Sequence, residues 1–197
     1  MDTAVMEFQI TQRGCRRRRR LAQSLGGGEG LKMSDEATIR AFWQTYLETL
    51  DDNHPHRFRA IPEAWSFGDS IELADQLGRL VLQGIKTATC CRYLGENLVE
   101  EAGPSIIVDG KGQPLCVVET TEITVRRYKD VDAKFAADEG EGDRSLNYWR
   151  DAHWNFFTHE GAQEGYEVSE DMLLECERFR VLYRNSGISD GVVVCIT

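Results

Sequence analysis

Two runs of β-forming residues separated by a glycine-containing turn constrain this chain more than any other feature. The stretch SIIVDGKGQPLCVVETTEITVRRY, residues 105–128, places Asp109 and Gly110 between runs that are rich in Val, Ile and Thr. This pattern predicts a β-hairpin, because an Asp-Gly pair readily adopts the backbone angles of a tight turn. A further alternating run, LLECERFRVLYR, predicts a final strand over residues 173–184.

Three helices are predicted around these strands. The first begins after Ser34, which can cap it, and its apolar stripe is formed by Ile39, Phe42, Trp43, Tyr46, Leu47 and Leu50. The second runs from about Ser70 to Gln83, and Gly84 suits its C-terminal cap. The third begins near Asp143, and its apolar face carries Leu146, Trp149, His153, Phe156 and Phe157. This order of elements predicts an α+β protein with a small, mostly antiparallel sheet.

Charge divides the chain near residue 33. Residues 1–32 contain seven Lys/Arg against three Asp/Glu and are rich in arginine and glycine, which predicts a disordered basic extension. A basic arm for RNA or a targeting peptide is the alternative for this segment. Residues 33–184 contain 16 Lys/Arg against 29 Asp/Glu, and we predict that they form one domain. Residues 185–197 are predicted to be a disordered C-terminal tail.

The composition argues against several classes of protein. No run of about 18 apolar residues occurs, so no membrane span is expected, and the net charge of −10 disfavours DNA and other long polyanions as partners. Six scattered cysteines without a C-x-x-C pair predict reduced thiols in a cytoplasmic protein. A metal site at Asp51, Asp52, His54 and His56 is the weaker interpretation of a polar loop, so we predict neither metal nor cofactor.

The stretch GIKTATCC, residues 84–91, contains the first group of reactive side chains. If the loop after the second helix keeps a helical turn, Lys86 and Thr89 face the same way. A desolvated lysine can act as a base, and the neighbouring threonine is then a candidate nucleophile. The alternative is a surface lysine at a helix C-terminus, followed by threonines that simply start a strand.

Two later stretches add to these candidates. In ADEGEGDRS, residues 137–145, Glu139, Glu141 and Asp143 alternate with glycines that let the backbone bend around a ligand. Neighbouring carboxylates raise one another's pKa, which suits general acid–base catalysis. The alternative is a solvated helix N-terminus capped by Asp143. In YWRDAHW, residues 148–154, Arg150 and the aromatic side chains could stack on a flat ring, or the aromatics could belong to the core.

The chain resembles proteins with an ASCH domain (activating signal cointegrator homology). Three stretches within about residues 36–184 carry the resemblance: FGDSIELADQLGRLVLQGIKTATC, PLCVVETTEITVRRYKDVDAKFAADEGEGDRSLNYWRDAHWNFF and CERFRVLYR. The resemblance implies a PUA-like β-barrel with flanking helices and a link to RNA. Some small members hydrolyse the acyl group of acetylated cytidine with a lysine, a threonine and a glutamate, which match Lys86, Thr89 and Glu139 here. Other members are ribonucleases.

We therefore predict a protein that binds a modified nucleoside or RNA and hydrolyses the acyl amide of acetylated cytidine. The acidic domain favours a nucleoside-sized ligand over a long RNA groove, which needs several cationic contacts. A non-catalytic RNA-binding module, a ribonuclease and a scaffold protein are the alternatives. The predicted catalytic residues are Lys86, Thr89 and Glu139, and the predicted substrate-binding residues are Thr87, Arg92, Glu141, Asp143 and Arg150.

Overall fold

A computed structural model of the protein describes residues 33–68, 70–95 and 103–186. The extension predicted for residues 1–32 and residues 187–197 of the predicted tail lie outside these ranges. Asn185 is described, and it is attached to the fold: its backbone N–H donates to the carbonyl of Leu115, and its side-chain amide donates to that of Pro114, both at 2.9 Å. None of the helices in the described part is long and apolar enough to cross a membrane.

Five strands form a single sheet. In chain order they are β1 Ala64–Trp65, β2 Ala88–Arg92, β3 Pro104–Val108, β4 Pro114–Arg127 and β5 Leu173–Arg184. The order across the sheet is β1-β3-β4-β5-β2, with β1 parallel to β3 and every other pair antiparallel. The predicted α+β class and the mostly antiparallel sheet are confirmed. The sheet of the described residues is open, not closed into a barrel, because its edge strand β1 is two residues long and pairs with β3 alone.

The predicted hairpin is formed by β3 and β4. Asp109 organises the turn between them, because its carboxylate accepts hydrogen bonds from the backbone N–H groups of Lys111 and Gln113, both at 2.8 Å. Strand β4 then continues far beyond the end of β3 and pairs with β5 as far as Arg127. This long pair of strands connects the two ends of the molecule.

Four α-helices pack on the sheet. They are α1 Met33–Glu48, α2 Ile71–Leu82, α3 Ala133–Glu139 and α4 Leu146–Glu164. Helix α2 begins as predicted after Ser70, whose hydroxyl accepts from the N–H of Leu73 at 3.2 Å. Helix α4 begins later than predicted, because Ser145 caps it in place of Asp143. Helix α3 and strand β1 were not predicted.

The core divides into three clusters of apolar side chains. Helix α1 covers one face of the β3–β4 hairpin, where Ile106 and Val117 are fully buried. Helix α2 covers the other face, to which Ile107 and Cys116 point. Helices α3 and α4 form a third cluster around Leu174 of β5, at the far end of the long strands. A cavity lies where the second and third clusters meet.

Candidate active site

The cavity is bounded by the end of β1 and the residues that follow it, by helix α2, by strand β2 and by the two helices α3 and α4. Its volume is about 230 Å³. Most of its wall is apolar or aromatic, and one end carries ionisable groups. The residues that line it are Trp65, Phe67, Gly68, Leu73, Leu77, Lys86, Thr89, Cys90, Glu139, Glu141, Tyr148, Ala152, His153 and Phe156. The three predicted catalytic residues are therefore brought to one place.

Lys86 forms a buried ion pair with two carboxylates at the polar end of this cavity. Its Nζ lies 2.9 Å from Oε2 of Glu139 and 2.7 Å from Oε1 of Glu141. The Lys86 and Glu139 side chains are each 1% exposed, whereas Glu141 is 22% exposed and borders the cavity. The ammonium also lies 5.1 Å from the centre of the Phe67 ring, a favourable cation–π distance.

Glu139 has further partners on helix α4. The indole N–H of Trp149 donates to its Oε1 at 3.1 Å, and Nε2 of His153 lies 3.5 Å from the same oxygen. The rings of Trp149 and His153 stack at 4.3 Å. The two oxygens of Glu139 are thus divided, with Oε2 directed to Lys86 and Oε1 directed to helix α4.

The ionisation of this group follows from its close pairing. Burial alone would lower the pKa of Lys86, but the charges of Glu139 and Glu141 raise it above its ordinary value. Burial alone would raise the pKa of Glu139, but Lys86 and then His153 hold it well below its usual range. Lys86 is therefore a cation and Glu139 an anion at neutral pH. The role of base that the sequence suggested for Lys86 does not fit this charge state.

The two segments that carry Lys86 and Glu139 are held together through their backbones. The N–H of Thr87 donates to the carbonyl of Asp138 at 2.7 Å, and the Thr87 hydroxyl donates to the same oxygen at 3.2 Å. Next along the chain, Gly140 ends α3 with a φ of +76°, and a Cβ there would lie 2.7 Å from the carbonyl oxygen of Ile85. Only glycine permits both this conformation and this approach.

Thr89 lies in strand β2, where it faces Glu177 of β5. The helical turn predicted to follow α2 is absent, because Gly84 adopts a φ of +72° and the chain then extends into the strand. Within the described residues the Thr89 hydroxyl makes no hydrogen bond, and Lys86 bonds to the two carboxylates instead of to it. The hydroxyl is half-buried on the cavity wall and is available to a bound molecule.

The predicted substrate-binding residues separate into two groups. Glu141 lines the cavity, and Thr87 lies beside it with its hydroxyl engaged by Asp138. The other three do not line the cavity. Arg92 packs its guanidinium 3.8 Å from the centre of the Tyr166 ring, because it lies at the far end of β2. Asp143 and Arg150 are exposed on either side of the start of α4.

Several cavity residues were not predicted to have a role in the site. His153 and Phe156, which line the cavity, had been placed on the apolar face of the third helix. So had Trp149, which contacts Glu139 behind the lining and was also considered for stacking on a ligand. Their spacing of four and three residues could have identified them as neighbours. Cys90 was considered only as one of the scattered reduced thiols. Trp65 and Phe67 were assigned to no predicted helix or strand, and the pairing of β1 with β3 brings this segment to the cavity.

Two other predictions have a different outcome in the structure. Trp154, one of the aromatics that could have belonged to the core, is 39% exposed and lies edge-on to the Tyr128 ring at 5.4 Å. His56, one of the weaker candidates for a metal ligand, is buried beside Tyr46 and Glu119 on the other side of the molecule. The four cysteines of the described residues are all free thiols, which agrees with the prediction of reduced cysteines.

Comparison with known proteins identifies the family. The family model described as "ASCH domain" matches residues 63–183, a span that contains every residue lining the cavity. The chain belongs to the ASCH domain family. Its match begins just before β1 and ends within β5, so helix α1 lies outside the part that the family model describes.

Solved structures agree with this assignment. An ASCH domain from Lactobacillus crispatus JV V101 is 31% identical, with a TM-score of 0.70 over 79% of this chain and 98% of that one. A protein from Enterococcus faecalis V583 is 35% identical, with a TM-score of 0.64 over 76% of this chain and 95% of that one. No curated protein matches the sequence. The PUA-like α+β fold of the ASCH domain is thus established for this chain.

Proposed function

We propose that this ASCH domain binds a single modified cytosine, as a free nucleoside or as one base of an RNA, and hydrolyses an acyl group from its exocyclic nitrogen. The observation that carries this proposal is that Lys86, Thr89 and Glu139 line one cavity. These are the residue types with which some members of the family remove the acyl group of acetylated cytidine.

The size and wall of the cavity favour a small flat ligand. Its volume of about 230 Å³ is below the roughly 300–1,000 Å³ of drug-sized sites, which suits a base better than a longer ligand. Phe67, Tyr148 and Phe156 offer aromatic surfaces on which a base can stack. The carboxylate of Glu141, at the border of the cavity, can accept hydrogen bonds from an exocyclic amide or amine.

The chemistry assigned to each residue follows from its charge. The Thr89 oxygen attacks the acyl carbon, and its proton passes to the Glu139 carboxylate. The Lys86 ammonium donates a hydrogen bond to the oxyanion that forms on the acyl oxygen. Glu139 then returns the proton to the exocyclic nitrogen as the carbon–nitrogen bond breaks, which releases cytidine. Water finally hydrolyses the acyl-threonine ester, so Thr89 is regenerated and a carboxylic acid leaves.

Long RNA is a less suitable ligand for the described surface. The cations best placed in the sequence to contact a phosphate are the cluster Arg126, Arg127 and Lys129, and each lies within 3.0 Å of an aspartate carboxylate. A phosphate would have to replace these partners, and counterion release supplies most of the affinity in phosphate-tracking grooves. The ligand is therefore defined mainly by the cavity.

Incubation of the protein with N4-acetylcytidine tests the proposal. The expected products are cytidine and acetate in equal amounts, separated by chromatography, without cleavage of an unmodified RNA in a parallel reaction. N4-methylcytidine, which has no acyl carbon to attack, serves as the matched control and should bind without reacting. If RNA is cleaved and acetylcytidine is not, the protein is a ribonuclease instead.

A second candidate function is binding without catalysis. It is favoured by one observation, the pairing of Lys86 with both Glu139 and Glu141, which leaves no neutral amine to act as a base. In that case N4-acetylcytidine or cytidine binds in the cavity with a measurable heat in calorimetry, and neither is converted over a long incubation.

A further inference from the structure

Three potential metal ligands converge on the wall of the cavity. In the proposed hydrolysis only one of them, Glu139, takes part, and none of them binds a metal. Cys90 of β2, Glu139 of α3 and His153 of α4 each bring one ligand atom to within 4.8 Å of the other two. The Nε2 atom of His153 and Oε1 of Glu139 are 3.5 Å apart. All three residues line the cavity, so an ion could enter from it.

The orientation of His153 is the one that metal-binding histidines usually have. Its Nδ1 lies 2.9 Å from the backbone carbonyl of Trp149, to which it donates, and this bond fixes the ring with Nε2 directed at Glu139. A bond from the second ring nitrogen to a carbonyl or carboxylate is the common support for such a ligand. The stacked Trp149 ring holds the imidazole from one side.

Glu139 can bind an ion without releasing Lys86. Its Oε2 holds the ammonium at 2.9 Å, whereas Oε1 faces His153 and the indole N–H of Trp149. If the Cys90 thiol loses its proton to the ion, the thiolate, the two carboxylates and Lys86 together carry two negative charges. A divalent cation neutralises this group.

The ligand types select the class of metal. A thiolate, an imidazole and a carboxylate together suit Zn²⁺ and similar borderline-soft ions, and they are unsuited to Mg²⁺ or Ca²⁺. Three protein ligands with a fourth position left open are the usual arrangement of zinc sites that react with small molecules. We infer that Cys90, Glu139 and His153 form a binding site for a zinc-class divalent ion, with its open coordination position directed into the cavity.

This inference goes beyond the proposed function, in which no metal takes part, and its test contains no nucleoside. Co²⁺ is titrated into the full chain carrying Cys15→Ser and Cys195→Ser, in excess Mg²⁺. These two substitutions leave only the thiols of the described residues. The expected result is one bound Co²⁺ per chain with a thiolate-to-cobalt charge-transfer absorption, which Zn²⁺ then displaces. Absence of that absorption overturns the inference, whether or not any further variant folds.

Matched variants locate the site. In the same background, Cys90→Ser should abolish the charge-transfer band and His153→Gln should weaken Co²⁺ binding by at least about 10-fold. Cys91→Ser is the control for the thiol, because the next residue of a strand points to the opposite face. His159→Gln is the control for the imidazole: it lies on the same helix with its Nδ1 on the carbonyl of Asn155, and it is not among the three converging ligands. A Cys90→Ser protein that keeps the band would overturn the inference.

Discussion

Lys86 Nζ lies 2.9 Å from Oε2 of Glu139, and both side chains are 1% exposed. A buried pair of this kind is costly to form, because both charges lose their hydration, and costly to break from one side only. The pair therefore couples the stability of the fold to the chemistry of the cavity. Neither residue can be replaced without consequences for the other.

Replacement of Lys86 by methionine should destabilise the protein, because it leaves Glu139 buried without its cation. The expected loss is about 3–5 kcal/mol, the range for removal of one member of a buried pair. Urea unfolding followed by circular dichroism measures it. The double variant Lys86→Met/Glu139→Gln should recover part of the loss, and Lys134→Met, which breaks an exposed pair with Asp138, should cost no more than about 1 kcal/mol. Equal losses for Lys86→Met and Lys134→Met would show that the buried pair contributes no more to the free energy of unfolding than the exposed pair does.

Thr89→Val should abolish hydrolysis of N4-acetylcytidine, because it removes the proposed nucleophile. Binding of cytidine and the thermal midpoint should stay nearly unchanged, because the hydroxyl makes no hydrogen bond within the described residues. Thr87→Val is the matched control. Its hydroxyl donates to the Asp138 carbonyl at 3.2 Å, so its loss should cost about 1 kcal/mol of stability. Turnover and melting of both variants are compared. Full turnover in Thr89→Val would remove the threonine from the mechanism.

Gly140→Ala should be far more harmful than Gly84→Ala. Both glycines have a positive φ, of +76° and +72°, and an alanine in that conformation costs about 1–2 kcal/mol. At Gly84 the added methyl group meets nothing within 4 Å, whereas at Gly140 it lies 2.7 Å from the Ile85 carbonyl oxygen. Unfolding free energies of the two variants test this difference, and similar values would mean that the backbone approach at Gly140 is easily relaxed.

Acidification should weaken the fold through His56. Burial lowers the pKa of this histidine, and the neighbouring Glu119 offsets only part of the effect. The unfolded chain therefore binds a proton near pH 6.5, whereas the folded chain does so only at lower pH, and stability falls as the pH drops below about 6.5. His56→Gln should flatten the dependence of the unfolding free energy on pH in this window. The exposed His159→Gln variant is the comparison, and a slope that His56→Gln leaves unaltered would contradict the assignment.

A chain beginning at Met33 should bind long unstructured RNA only weakly at physiological salt. One reason is the excess of acidic residues between positions 33 and 184. The other is that Arg126, Arg127 and Lys129 are already paired with aspartates. Dissociation constants should be on the order of 10⁻⁴–10⁻⁶ M or weaker, as for non-specific contacts. Fluorescence anisotropy with a labelled RNA measures them. Nanomolar affinity would identify the domain as an RNA-binding module.

The sequence predicts best those elements whose signal is local. Helix α2 and strand β5 follow from their periodicity and from Ser70 and Gly84 at the ends of the helix. Helix α3 has seven residues, too few for a clear period, although Asp132 before it and Gly140 after it are suitable caps. Strand β1 has no signal of its own, because it exists through its pairing with β3.

The charge state of the site could not be predicted in the same way. The sequence suggested that burial would make Lys86 a base, which is correct for burial alone. The opposite result arises from Glu139, 53 residues away, and from Glu141. The positions of the site residues came from a family pattern, whereas their ionisation depends on distances that only the fold provides.

The backbone bond from Thr87 to Asp138 also bears on where the chain can change in length. It closes a loop of 51 residues that includes the whole β3–β4 hairpin. The entropy of closing such a loop rises only with the logarithm of its length, so doubling it costs about 0.6 kcal/mol. Residues added at the exposed turn near Lys111 should thus leave the cavity intact. A single residue added between Ile85 and Ala88 should instead disturb the register that places Lys86 against Glu139 and Thr87 against Asp138. The domain should therefore accept inserted residues at the tip of the β3–β4 hairpin and none beside the bond from Thr87 to Asp138.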